Sequence, residues 1–232
     1  MEQLQSFLNF VSQSPTAFHA ADGLRKILRE NGFQELRERD PWLLDAGGRY
    51  FVVRNDSALI AFAIPRSGFA PFRMAAAHSD SPLLKLKPRC EDVSSAYTRL
   101  NVEVYGGAIL STWMDRPLSV AGRLVVQEGD GYAVRLVKLD RDAVLIPNMP
   151  IHFNREINKG FEYNPQVDLL PLVGHENAAG WLMNALADTA GVAPDAVLAH
   201  DLFLYSRVPA SIWGAEDAFF SCGRIDDLEC SW

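Results

Sequence analysis

Phe72-Arg73-Met74-Ala75-Ala76-Ala77-His78-Ser79-Asp80-Ser81-Pro82 is the stretch on which the reading of the fold turns. An apolar run that narrows to small residues and stops at a histidine predicts a buried strand over Phe72 to Ala77. Such a strand delivers an imidazole and, two positions on, a carboxylate at the C-terminal edge of a sheet, where ligand sites of α/β folds collect. Neutral imidazole suits a divalent transition metal, and a nearby carboxylate fixes its tautomer or holds metal-bound water. Taken alone, the segment is more simply read as a locally bonded His78 followed by an ordinary turn at Asp80-Ser81-Pro82.

Working outward, two further apolar runs precede it, Arg49 to Arg54 and Ala58 to Ile64. They are set apart by Gly47-Gly48, Asn55-Asp56 and Pro65-Arg66-Ser67-Gly68, the punctuation of strands. Before them Leu4, Phe7, Leu8 and Val11 recur at helical spacing. Ser14-Pro15 reads as the N-cap and first position of a second helix, whose face is Phe18, Ala21, Leu24 and Leu28 and whose end is Asn31-Gly32. From Leu84 to Lys138 the pattern is period two, in Leu84/Leu86, Val102/Val104, Leu124/Val126 and Val134/Leu136. Glu176 to Ala190 predicts a helical segment closed by Gly191, and Asp201 to Tyr205 and Ala218 to Ser221 predict strands. Mixed α/β character, then a β stretch, then α/β again implies one α/β domain interrupted by an inserted, largely β domain.

The composition narrows the function classes. The 232 residues include 22 basic and 29 acidic side chains, a net charge of −7, with 48% hydrophobic residues and a mean hydropathy of −0.03. Cys90, Cys222 and Cys230 form no CxxC pair, which argues against a disulfide framework or a cysteine-rich zinc module, and the odd count suits a reducing, cytoplasmic compartment. An acidic chain without a Lys/Arg run is a poor nucleic-acid partner. No apolar window of spanning length and no basic leader segment is found, so neither a membrane span nor export is expected. Walker A, GxGxxG, GxSxG and HExxH motifs are absent, which sets aside nucleotide, dinucleotide and serine-hydrolase readings.

Three other segments carry candidate chemistry. Ser221-Cys222-Gly223-Arg224-Ile225-Asp226-Asp227-Leu228 runs a strand into adjacent carboxylates, the side chain suited to bridging two metal ions; a turn or helix cap is its plainer reading. Ile146-Pro147-Asn148-Met149-Pro150-Ile151-His152-Phe153-Asn154-Arg155 sets a histidine in a Pro-punctuated apolar stretch, as a ligand or as a satisfied structural residue. Tyr105-Gly106-Gly107, followed by Ser111-Thr112-Trp113-Met114-Asp115-Arg116, suits an interdomain or intersubunit surface, or a core aromatic beside a surface ion pair. His19, His175 and His200 have no usable spacing.

In this order, Ala77 to Pro82, Tyr105-Gly106-Gly107, Ser111 to Arg116, Ile146-Pro147-Asn148, Ile151 to Arg155 and Gly223-Arg224-Ile225-Asp226 resemble the M18 metallopeptidases, the aspartyl aminopeptidase family, from the N-terminal helices to about Leu228. The resemblance implies a zinc-exopeptidase-like α/β catalytic domain in two segments, residues 1–91 and 198–232, around an inserted mainly β dimerisation domain at 92–197. It also implies two zinc ions per site, other divalent metals being admissible. His78 then corresponds to a zinc ligand, Asp80 to the catalytic carboxylate orienting it, and Asp226 to the bridging carboxylate. His152 corresponds to the histidine that reaches a neighbouring subunit's active site beside the substrate, a direct metal role being its second option. The implied activity is removal of N-terminal residues, often acidic, from a peptide by a homo-oligomer, a dimer or larger.

The match has gaps. The family's site also uses a Glu-Glu pair containing the general base, a further Asp and a late His; this chain has no Glu-Glu dipeptide, and Asp227 stands where Asn is expected. The expectation is therefore an N-terminal portion of such an enzyme, inactive alone, with a non-catalytic oligomerisation or metal-binding module as the alternative.

Overall fold

A computed structural model describes residues 2–68, 71–94 and 96–232. They divide into two compact units, Met1–Ser81 with Ala210–Trp232, and Pro82–Pro209. In the first, α1 (Glu2–Gln13) buries Phe7, Leu8, Phe10 and Val11, the expected face widened by Phe10. Helix α2 (Ala17–Glu30) starts two residues later than Ser14-Pro15 suggests, with Thr16 as its N-cap. Its end is as read: Gly32, at φ 76°, bonds the Arg29 carbonyl and the Phe33 N–H bonds that of Leu28 at 2.9 Å, a glycine-terminated cap.

Strands β1 (Gln34–Leu36), β2 (Arg49–Arg54) and β3 (Ala58–Ala63) form a sheet in that order, β1 parallel and β3 antiparallel to β2. Asn55 and Asp56 both take positive φ between Arg54 and Ser57, whose N–H bonds the Arg54 carbonyl at 3.1 Å. This is the mirror-image turn that matches strand twist. Tyr50, Phe51 and Val52 of β2 are buried, whereas Ile60 of β3 is 70% exposed, and among the described residues β3 pairs only with β2. The expected strand over Phe72 to Ala77 is not formed: the segment is irregular and exposed, with Phe72 and Met74 at 79% and 90%. A strand exists only through a ladder, and no strand among the described residues pairs with this run.

The second unit is built on β4 (Leu83–Ser94), β5 (Tyr97–Tyr105), β6 (Leu118–Glu128), β7 (Gly131–Lys138), β8 (Leu172–His175) and β9 (Val197–Ser206), in the order β7-β6-β9-β4-β5-β8. Short helix α3 (Pro165–Asp168) and α4 (Trp181–Ala190) accompany it. Alternation places Leu84, Leu86, Val102, Leu124 and Val126 in the core, as the period-two pattern predicts. Strand β7 is the exception: Val137 is buried and Leu136 exposed, opposite to the expected phase. The inward set there is Ala133, Val137 and Leu139, fixed by the β6 register of Gly122 opposite Val137. Helix α4 begins after Gly180, whose N–H bonds the Glu91 carboxylate at 2.8 Å, and ends at Gly191 in the left-handed region. Glu176–Ala178, expected as the helix's first turn, is a separate 3-10 turn. The expected insert limits, 92 and 197, fall on β4 and on the first residue of β9, so the compact unit extends beyond them on both sides.

After Pro209 the chain rejoins the first unit with the hairpin β10 (Ser211–Trp213) and β11 (Phe219–Ser221), then α5 (Ile225–Leu228). Leu228 is 2% exposed and packs with Phe7, Leu8, Phe10, Val11 and Ala20, while the Phe7 ring meets Phe220 and Trp232 edge-on.

Candidate metal centre

The first unit brings the two carboxylate-bearing segments of the sequence together. Beyond β11, Arg224 takes a positive φ of 67° and its guanidinium donates to the Val11 carbonyl at 2.9 Å, tying the turn to the end of α1. Leu228, in the core, anchors the other side. Between these anchors Asp226 and Asp227, joined by a cis peptide, present exposed carboxylates.

Three serines strap the His78 segment in place. Ser79 Oγ donates to the Ser57 carbonyl at 2.7 Å, Ser81 Oγ to the Arg224 carbonyl at 3.5 Å, and Ser231 Oγ to the His78 carbonyl. His78 and Asp80 are thus held against the turn after β2 and against the segment that carries Asp226. His78 Nδ1 lies 3.0 Å from Asp80 Oδ1. An ionised carboxylate can only accept, so Nδ1 carries the proton and Nε2 of the neutral ring presents its lone pair outward; the His78 side chain is 69% exposed.

The local field is negative. The hydrogen bond to Asp80, then the charges of Asp227, Asp80 and Asp226, raise the His78 pKa above the ordinary imidazole value. Asp226 is itself held above the usual carboxylate range by a hydrogen bond with Asp227 and by the repulsion of its charge. A field that favours a proton on imidazole favours a divalent cation in the proton's place. Imidazole and carboxylate donors, with a carboxylate behind the imidazole, are chemically what such a cation takes, so these residues fit part of a metal site. Among the described residues no group of three or more His, Cys, Asp or Glu is placed to hold an ion.

His152 belongs to the other unit, exposed in a turn closed by the Phe153 N–H on the Pro150 carbonyl at 2.9 Å. The turn's approach is fixed by Asp115, which accepts the Asn148 N–H at 2.9 Å and donates its own N–H to the Ile146 carbonyl. Asp115 therefore clasps the Ile146-Pro147-Asn148 segment. Sequence reasoning named Asp227 only as the carboxylate adjacent to Asp226 and gave Ser231 no part in the site. The Asp-Asp dipeptide was the available signal for Asp227; the Ser231 contact spans too much chain to leave one.

Comparison with known proteins bears on this arrangement. The model of the family described as aminopeptidase I zinc metalloprotease (M18) matches residues 10–232. A protein of Clostridium acetobutylicum named as a probable M18 family aminopeptidase 2 is 43% identical over 239 residues, covering 99% of this chain and 55% of the relative. Its namesake in Clostridium novyi is 43% identical, with 96% and 53% covered. The solved structure of Chaetomium thermophilum mApe1 superposes with a TM-score of 0.88 at 34% identity, over 98% of this chain and 56% of that one. The chain spans about half the length of the curated relatives it matches.

Proposed function

The chain belongs to the M18 aminopeptidase I zinc metalloprotease family, and from that premise we propose that it supplies His78, Asp80 and Asp226 to a two-zinc site that removes N-terminal residues from peptides. The observation that carries this reading is the His78–Asp80 hydrogen bond facing the Asp226-Asp227 pair whose charges act on the same imidazole. In the complete site His78, through Nε2, and Asp226 would hold the metal, with Asp80 keeping the ring in the tautomer that frees that nitrogen. Zinc bound there would polarise the scissile carbonyl and lower the pKa of a water molecule towards about 7. Ser81 ties the His78 segment to the Arg224 carbonyl, and Arg224 ties the turn before Asp226 to α1.

Proton transfer needs a separate group, and the family's Glu-Glu pair, which contains the base, has no counterpart in this sequence. The 232 residues alone are therefore assigned metal-binding and substrate-positioning roles, with a cytoplasmic homo-oligomer as the working assembly and His152 as the group contacting substrate in a neighbouring subunit. Acidic N-terminal residues are the substrate class to test first.

The test measures zinc retained after dialysis together with hydrolysis of an Asp-terminal chromogenic substrate. Zinc affinity should fall by more than about tenfold in His78→Ala and by about tenfold or more in Asp80→Asn, with the far-ultraviolet spectrum unchanged. Equal zinc in wild type and His78→Ala would remove the ligand assignment, and turnover by the 232-residue chain alone would refute the missing base.

A further inference from the structure

Pro88 has no N–H to give to a ladder, and around it β4 bulges: Leu86 lies opposite Val102 and Glu91 opposite Leu100, so Lys87 to Cys90 stand against a single residue of β5, Asn101. A bulged strand bends, and β4 parts from β9. The two pair only at Leu84 with Leu204 and Lys85 with Phe203, while β9 keeps its ladder with β6 as far as Val197. On the side turned from β6, the backbone of Val197 to Leu202 therefore has no strand to pair with among the described residues. Between the parted strands is a cavity of about 590 Å³, bounded by Pro88 to Glu91 on one side and Val197 to His200 on the other, with Met183 and Pro194 completing it.

Backbone, wall and charge together define what fits this cleft. An open strand edge takes another extended backbone. The wall is apolar, supplied by Met183, Pro194, Val197 and Leu198. Arg89 and Glu91 carry the charges of the lining. Glu91 is turned away, its Oε2 accepting the Gly180 N–H at 2.8 Å and its Oε1 buried. Arg89 is exposed and makes no ion pair among the described residues. A guanidinium beside apolar walls selects a carboxylate, which it can hold through two parallel hydrogen bonds. The inner end of the cleft is closed where the His200 ring bonds the Pro88 carbonyl, one residue from Arg89. An entering chain cannot run through and has to end there.

We propose that this cleft binds the carboxy-terminal segment of an extended apolar peptide, whose backbone pairs with β9 and whose carboxylate rests on Arg89. Every residue of the cleft lies within Pro82–Pro209, and the proposal does not rest on the zinc reading.

The test is calorimetric titration of the full chain with N-acetylated Val-Ala-Val-Leu, whose blocked amino end resists aminopeptidase cleavage. Saturable binding is expected below about 1 mM. The C-terminal amide of the same peptide should bind about tenfold more weakly to the wild type, and as well as the acid to Arg89→Ala. A version N-methylated at alternate amides, which cannot complete a ladder, should also lose about tenfold. Leu198→Asp, at a position 55% exposed, should keep the far-ultraviolet spectrum and weaken binding at least about tenfold by setting a carboxylate beside the peptide's own. Saturation with the peptide should slow amide exchange over residues 197–202. Absence of saturable binding, equal affinity of acid and amide for the wild type, full affinity of the N-methylated peptide, wild-type affinity in Leu198→Asp or unaltered exchange over 197–202 would overturn the proposal. So would octanoate binding as tight as the peptide's, which would make the cleft a site for apolar carboxylates rather than for a peptide strand.

Discussion

Burial works against ionisation of Asp201, yet the Arg123 hydrogen bond at 2.9 Å and the Lys85 ion pair at 3.2 Å overcome it, and the net effect is a carboxyl pKa below its usual value. A carboxylate with a depressed folded-state pKa stabilises above its unfolded pKa of about 3.9 and loses that contribution as the pH falls through the folded value. Asp201→Asn should therefore cost about 1 kcal/mol at pH 7 in urea unfolding. The difference should shrink as the pH drops below about 4; a constant difference between pH 7 and 2 would contradict the assignment. At this scale the sequence was legible where partners are close along the chain. His78 and Asp80 are two residues apart, and their hydrogen bond is implied by that spacing. Asp227 and Ser231 bear on His78 across some 150 residues, and no local pattern announces such a contact. Arg123 and Asp201 meet only because β6 and β9 are neighbours, a pairing that period-two alternation does not specify.

Strands β6 and β9 also show how one residue sets the fit of two elements. A Cβ built on Gly122 would lie 2.0 Å from the Asp201 carbonyl oxygen and 2.9 Å from Leu202 Cα, both backbone atoms unable to swing aside. Gly122→Ala should destabilise the second unit by about 3 kcal/mol, read as a lowered urea midpoint; a change below about 0.5 kcal/mol would show that the ladder yields. Most elements were legible, because β2 and β6 combine alternation or a short apolar run with turn residues at each end. The exceptions have physical reasons. Leu136 faces outward because the partner's register, absent from the sequence of β7, fixes the phase of a two-faced strand. Phe72–Ala77 has the composition of a buried strand, but no strand among the described residues forms a ladder with it, and composition alone cannot supply one. The helix limits at Thr16 and Gly180 differ from the expected ones by a few residues, since several capping residues compete there.

Each unit of the molecule has its own buried cluster, one around Leu84, Leu124 and Leu204 and one around Phe7, Val11 and Leu228. They differ in how completely apolar strands are covered. In the larger sheet the edge strands are β7, which carries Arg135 and Lys138, and the four-residue β8, both features that discourage further pairing. In the smaller sheet β3, Ala58-Leu59-Ile60-Ala61-Phe62-Ala63, has neither charge nor proline on its open edge. Such a hexapeptide can recruit the same segment of another molecule. Light scattering of the 232-residue chain should rise steeply with protein concentration, and Ile60→Lys, at a position 70% exposed, should suppress the rise without lowering the urea midpoint; scattering unaffected by the substitution would place self-association elsewhere. Shelf life in solution would then be set by this bare edge rather than by the folding free energy, so a single gatekeeper charge would prolong storage more than added core stability.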